Sequence, residues 1–133
     1  MTKAKVSIIK ATDGSEFHFE GPLKEAIYSL FEQTEKRSLS NFNLSDLDLS
    51  GMDLSDCDFT NTNLSNAILM NANLRNTILK NTDFTNANLS KADLHNAIIN
   101  NANFTNADLY HAKITKALIF NTDFKVAKNF SFF

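Results

Sequence analysis

Cysteine is almost missing from this chain. Cys57 is the only one, so no internal disulfide can form, and a reducing compartment is permitted. Proline occurs once and glycine three times, yet asparagine is abundant, so the low complexity of the sequence need not mean disorder. No stretch approaches the ~18 consecutive apolar residues of a membrane-spanning helix. The opening MTKAKVSIIKATDGSEF lacks the long apolar core of a secretory leader. Net charge is only −2, which removes any strong overall attraction to nucleic acid or an anionic membrane. These absences lead us to expect a soluble cytoplasmic protein of 133 residues, enough for one ordinary domain.

What is present changes character near residue 37. Every glutamate precedes it (Glu16, Glu20, Glu25, Glu32 and Glu35), and every acid after it is aspartate. From Leu39 to Phe124 a Leu, Ile or Phe recurs at every fifth position without a break. Two places before each of these sits a second inward candidate. From Thr62 to Thr122 that residue is always Ala or Thr. The position between the two is usually Asp or Asn. Residues two apart face the same side of an extended backbone, so each unit reads as a very short edge with two inward side chains. The Ser or Thr and Asn that follow read as a turn.

Such a unit cannot bury itself, but stacked coils can, each edge bonding to the next at the ~4.8 Å strand spacing. Phe84, Phe104 and Phe124 recur every twenty residues, as do the outward exceptions Ile78, Ile98 and Leu118. A fifteen-residue coil would align Ile78 with Asp93 and Asp108 instead. The spacing therefore predicts four units per coil: an all-β solenoid of about four and a half coils, roughly 20 Å long at strand spacing.

The units ANLRN, ANLSK, ADLHN, ANFTN and ADLYH carry an A(D/N)LXX pattern that resembles the pentapeptide-repeat family. The resemblance implies a right-handed quadrilateral β-helix. It also implies a bacterial or phage setting, and for some members DNA mimicry, binding to DNA gyrase and dimerisation through the C-terminal ends. Most members have no known activity.

Three segments follow: a cap over residues 1–36, the array over 37–126 and an aromatic tail over 127–133. The first coil carries Phe42, Leu47, Met52 and Cys57 where Ala or Thr is the rule, and large residues there suit a lid. AKVSIIKA, the turn TDGS and EFHFE predict a β-hairpin with Val6, Ile8, Phe17 and Phe19 on one face. GPLKEAIYSLFEQTEK predicts a helix with Pro22 at its first position and a stripe of Leu23, Ala26, Ile27, Leu30 and Phe31. That stripe either packs on the first coil or recruits a partner helix. In the tail, Phe130, Phe132 and Phe133 either plug the rod or join two copies into a homodimer.

No catalytic or metal-ligating set stands out, and we expect no enzyme, cofactor or metal. His18, His95 and His111 are scattered, and Cys57 takes an inward place. A convex rod also offers no deep pocket. The expected activity is binding to a protein partner; a phage-encoded effector acting on a host protein is one form this would take. Two surfaces are candidates. The first is the outward strip of Ile78, Ile98 and Leu118, with Lys80, Asn100 and Phe120 beside it and Met70 and Tyr110 on the opposite face. Burying three aliphatics and a Phe is worth roughly 6–10 kcal/mol at ~2 kcal/mol each, before association costs. The bland alternative is that stacked Ile residues merely favour a ladder. The second candidate is the acidic first coil: Asp46, Asp48, Asp53, Asp56 and Asp58. It would serve a gyrase-directed DNA mimic. From Arg37 to Lys125, however, nine Asp face seven Lys or Arg. B-DNA of the same length would carry roughly a dozen negative charges. The plainer explanation of these Asp residues is solubility and solvated ladder positions. Direct binding to nucleic acid or membrane is not expected.

Overall fold

The computed structural model describes residues 6–33 and 37–131. The elements in chain order are β1 (Val6–Ala11), β2 (Glu16–Glu20), α1 (Leu23–Glu32), β3 (Phe42–Asn43), β4 (Ile78–Lys80), β5 (Ile98–Asn100) and β6 (Leu118–Phe120).

The array pairs with itself at an offset of twenty. Parallel bridges join Asn43 to Asn63, Asp48 to Ile68, Asp53 to Asn73 and Asp58 to Ile78, one on each of four successive units. The same ladders continue through Asp83–Asn103, Asn88–Asp108 and Asp93–Lys113. On one wall the ladder is regular enough to form a parallel sheet, β4-β5-β6, with Ile78 beside Ile98 and Ile98 beside Leu118. Each coil therefore consumes four five-residue units. From Leu39 to Leu109 the central residues point inward and are buried, as at Leu44, Leu64 and Leu89. Phe84, Phe104 and Phe124 form one column, with ring centroids 4.9 Å apart at both steps, the strand spacing itself.

The corners explain the asparagine. In many units the carbonyl of the central residue accepts from the N–H three places on, as Phe59 does from Thr62 and Leu64 from Ala67. The residue two past the centre has positive φ at corner after corner, including Asn61, Asn66, Asn71, Asn76 and Asn81, with Gly51 taking the same place. A type II turn reserves that position for Gly or Asn. Asn is the side chain that best tolerates left-handed backbone, so it repeats every fifth residue. Lys91, His111 and Lys116 sit there without that advantage. The Asn corners also bond to each other across coils: Asn61, Asn81 and Asn101 each donate an amide N–H to the Asn twenty residues earlier.

Threonine at the small inward position carries a hydroxyl into the core and satisfies it there. Thr62 Oγ1 donates to the Leu39 carbonyl at 2.7 Å and Thr82 Oγ1 to the Phe59 carbonyl at 2.9 Å. Buried polar groups require such partners, which is why Thr can stand in for Ala here.

The hairpin closes the first coil's edge. β1 pairs antiparallel with β2 on one side and with β3 on the other, placing Ala11 opposite Phe42. The expected hairpin face is corrected here. The register sets Ile9 opposite Phe17, while Ile8 is opposite His18 and Val6 opposite Glu20. Ile9 is buried and is the residue that joins Phe17 in the core cluster. α1 buries Ala26, Ile27, Leu30 and Phe31, with Leu23 partly covered. Pro22, expected at the first helical position, is instead the N-cap, with extended backbone (φ −69°, ψ 152°), and the helix begins one place later at Leu23. The helix lies on the first coil: the Asp53 N–H donates to Tyr28 Oη at 3.1 Å, and the Arg37 guanidinium stacks over the Phe31 ring at 4.3 Å. Met52 and Cys57, oversized for the interior, are buried in the same core cluster as the inward residues of α1.

At the other end the five-residue phase fails. Asn129 occupies the central place that Leu109 holds one coil earlier, and Phe130 instead stacks on Phe124 at 4.7 Å. Phe132 and Phe133 lie outside the described residues.

Candidate interaction surface

The regular unit keeps its outward position polar for a local reason. The Asp or Asn before the central residue accepts from the backbone N–H two places on, and often from that residue's hydroxyl too. Asp48 Oδ1 accepts from Ser50 N at 3.0 Å and Ser50 Oγ at 2.6 Å. Asp53 with Ser55, Asn63 with Ser65 and Asn103 with Thr105 repeat the arrangement. The side chain thus braces its own corner as an Asx turn. Sequence reasoning treated these acids as merely solvated; the Ser or Thr two places after each was the available signal.

Where Ile or Leu replaces that residue, the brace is given up. Ile78, Ile98 and Leu118 are 38%, 40% and 56% exposed, and the parallel register puts them directly above one another. Phe120, on the same strand as Leu118, is 51% exposed. Asn100 is its register neighbour, and Lys80 in turn pairs with Asn100. The strip is therefore contiguous over three coils and lies on backbone held by a hydrogen-bonded sheet. On the opposite wall Ile68 and Met70 are also exposed, as is Tyr110. Ile68 was missed in the sequence although it too breaks the Asp/Asn rule. It bridges Asp48 and Asn88, so it is an isolated apolar residue in a polar ladder.

The five first-coil acids are not brought together. Asp48, Asp53 and Asp58 belong to three different ladders. Asp46 and Asp56 occupy corners with positive φ. The Ser50 hydroxyl and then its N–H hold the Asp48 carboxyl below its ordinary pKa. Ser55 does the same for Asp53, with a smaller contribution from nearby Arg37. Asp48, Asp53 and Asp58 thus lie on three different walls, each bracing its own turn.

Reactive groups are similarly accounted for. Burial pushes the Cys57 thiol up to about 12, far from a nucleophile's range. His95 Nδ1 meets Thr115 Oγ1 at 2.8 Å, while the His111 ring lies edge-on to Tyr110 at 4.1 Å. Arg75 pairs with Asp93 at 3.0 Å. Burial works to raise the Asp93 pKa, but the His95 N–H and Arg75 outweigh it and the net shift is downward. Among the described residues no group of three or more His, Cys, Asp or Glu is placed to hold a metal ion. Among them, too, no helix is long and apolar enough to cross a membrane.

Comparison with known proteins agrees with this geometry. The pattern of the family described as pentapeptide repeats matches in eight copies, over residues 38–69, 67–105 and 87–125. The pentapeptide repeat protein Rfr23 of the cyanobacterium Cyanothece 51142 is 36% identical with a TM-score of 0.61, over 69% of this chain and 58% of that one. The chain thus spans little more than half the length of Rfr23. The pentapeptide repeat protein alr5209 of Nostoc Pcc 7120 is 27% identical with a TM-score of 0.60, over 80% of this chain and 87% of that one. A pentapeptide repeat protein of the Arabidopsis thaliana thylakoid lumen is 34% identical with a TM-score of 0.51, over 64% and 63%. No curated protein matches the chain.

Proposed function

The chain belongs to the pentapeptide repeat family, and we propose that it is a non-enzymatic interaction module that presents the Ile78/Ile98/Leu118 strip, with Phe120, to a partner protein. Its array is a right-handed quadrilateral β-helix, capped by β1, β2 and α1 and working in a reducing compartment such as the cytoplasm. One observation carries the reading. Three consecutive coils forgo the Asx brace at the same place and expose aliphatic side chains in register. A lone exposed aliphatic needs no explanation, but a contiguous apolar surface on a rigid sheet suits a partner. The surface is flat and preorganised, so little ordering cost opposes association.

The dispersal of Asp46, Asp48, Asp53, Asp56 and Asp58 weighs against the DNA-mimic alternative, since a mimic needs a continuous anionic face. A gyrase supercoiling assay tests that alternative directly, and we expect no inhibition or protection at saturating protein. The main test is capture from the native host with wild-type protein and the Ile98→Asp variant. Ile98 is outward, so the variant should keep its thermal unfolding midpoint within a few degrees. A specific partner held by the wild type should be lost with the variant and retained in high salt, because an apolar contact is not screened. Capture that survives Ile98→Asp would remove the strip as the site.

A further inference from the structure

Among the described residues, the far end of the array leaves its core partly open. Ala92, Ala97, Leu94 and Ile99 are completely buried, but their counterparts one coil on are not. Ala112, Ala117, Ile114 and Ile119 are all only half-buried. Phe130 covers the Phe124 column, and the opening beside it is a cavity of about 800 Å³ reaching from Leu109 past Ile114 to Ile119. β6 is also the outermost strand of its parallel sheet, so a backbone edge flanks the opening.

The last coil has one sign of charge in excess. Lys113, Lys116, Lys125 and Lys128 all lie on it and are exposed; Lys113 lines the opening, and Lys125 lines a smaller hollow beside Phe124 and Phe130. The acids there are Asp108 and Asp123. Asp108 accepts from the Asn129 amide and the Tyr110 N–H, and Asp123 from the Lys125 N–H. Self-pairing of this end, one expectation for its aromatics, would bring two sets of four lysines together in a low-dielectric contact.

We propose that this end of the rod is a second interaction site, which receives an acidic, extended segment of a partner protein. Alternate apolar side chains enter the open core, intervening carboxylates meet Lys113 and the other exposed lysines of the last coil, and the backbone adds to the β6 edge. Strand addition of this kind draws affinity from main-chain bonds and selectivity from alternate side chains. The site adjoins the strip at β6, whose Leu118 and Phe120 side chains belong to the strip, but the open core and its lysines do not require the strip to have a partner.

Two fluorescent peptides test it, one alternating Glu with Ile and Val, the other carrying Lys in place of Glu. Anisotropy should show the Glu peptide binding at least about tenfold more tightly than the Lys peptide, with affinity falling as salt rises. Lys113→Glu with Lys116→Glu, both exposed, should abolish that preference without lowering the unfolding midpoint. In methyl NMR, the Glu peptide should shift Ile114 and Ile119 and leave Ile78 and Ile98 in place. Equal binding of the two peptides would overturn the proposal. So would a stable dimer of the free protein, in which a second copy holds the end. Binding that appears only in a Phe132→Ser, Phe133→Ser variant would also overturn it, since the chain's own aromatics would then occupy the site.

Discussion

Replacing Phe104 by Leu probes whether the coils stack as described. Leu is the commonest residue at the central inward position, so the wall accepts it without strain. The loss is specific to the column. Phe104 lies between Phe84 and Phe124, with centroids 4.9 Å away on both sides and interplanar angles of 13° and 29°. Each such aromatic pair is worth about 0.5–1.5 kcal/mol beyond its buried area, so removing the middle ring forfeits about 1–3 kcal/mol. Phe59 is the control. It is equally buried at a central position, but Leu39 and Leu79 occupy that place in the adjacent coils. Phe59→Leu loses only the packing difference between the two side chains, which Phe104→Leu loses as well. Urea unfolding followed by far-UV circular dichroism, with equal slopes, converts the midpoints into a free-energy difference between the two variants. We expect Phe104→Leu to be the less stable by about 1–3 kcal/mol. If Phe59→Leu costs as much or more, the rings do not form the column and the twenty-residue coil loses its strongest internal support.

Acid should weaken the first coil. Asp48 and Asp53 have folded pKa values below the ordinary carboxyl value of about 3.9, so their contribution is full above that value and is lost as pH falls through the depressed folded values. Asn makes the same Asx bonds without titrating, so the unfolding midpoint of Asp48→Asn with Asp53→Asn should fall less between pH values of about 5 and 2 than that of the wild type. Equal acid sensitivity would show that these turns carry no linkage. Lys91 has φ 59° in a corner that elsewhere favours Asn. Lys91→Asn should therefore stabilise the protein by about 1 kcal/mol, read as a raised unfolding midpoint; an unchanged or lowered midpoint would mean that the corner is not strained.

The period of the array was legible because its interior is narrow: only every fifth residue can be large, and its neighbour two places earlier must be small. The coil length was legible only through departures from the rule, Phe84, Phe104 and Phe124 inside and Ile78, Ile98 and Leu118 outside. The role of the polar residues was not. Asp48 and Asn63 look alike whether solvated or bonded to their own turn, since the distinction depends on the backbone two residues away. The hairpin register was ambiguous for a related reason. In VSII either of two adjacent isoleucines can face the core, and pairing with β3 sets Ile9 there. The strip was found by its three coils in phase, whereas the partly open core at the far end became visible only through the exposure of Ile114 and Ile119.

The account depends on residues twenty apart lying side by side on one wall. Introduce cysteines at Ile78 and Ile98, and in a second variant at Ile78 and Asp93, and treat both with a thiol reagent spanning about 5 Å, the distance between neighbouring strands. Cys57 is buried and should stay silent. Rapid intramolecular cross-linking of the Ile78/Ile98 pair, with little for the Ile78/Asp93 pair, is the predicted result. The reverse preference would contradict the coil, and with it the continuous strip.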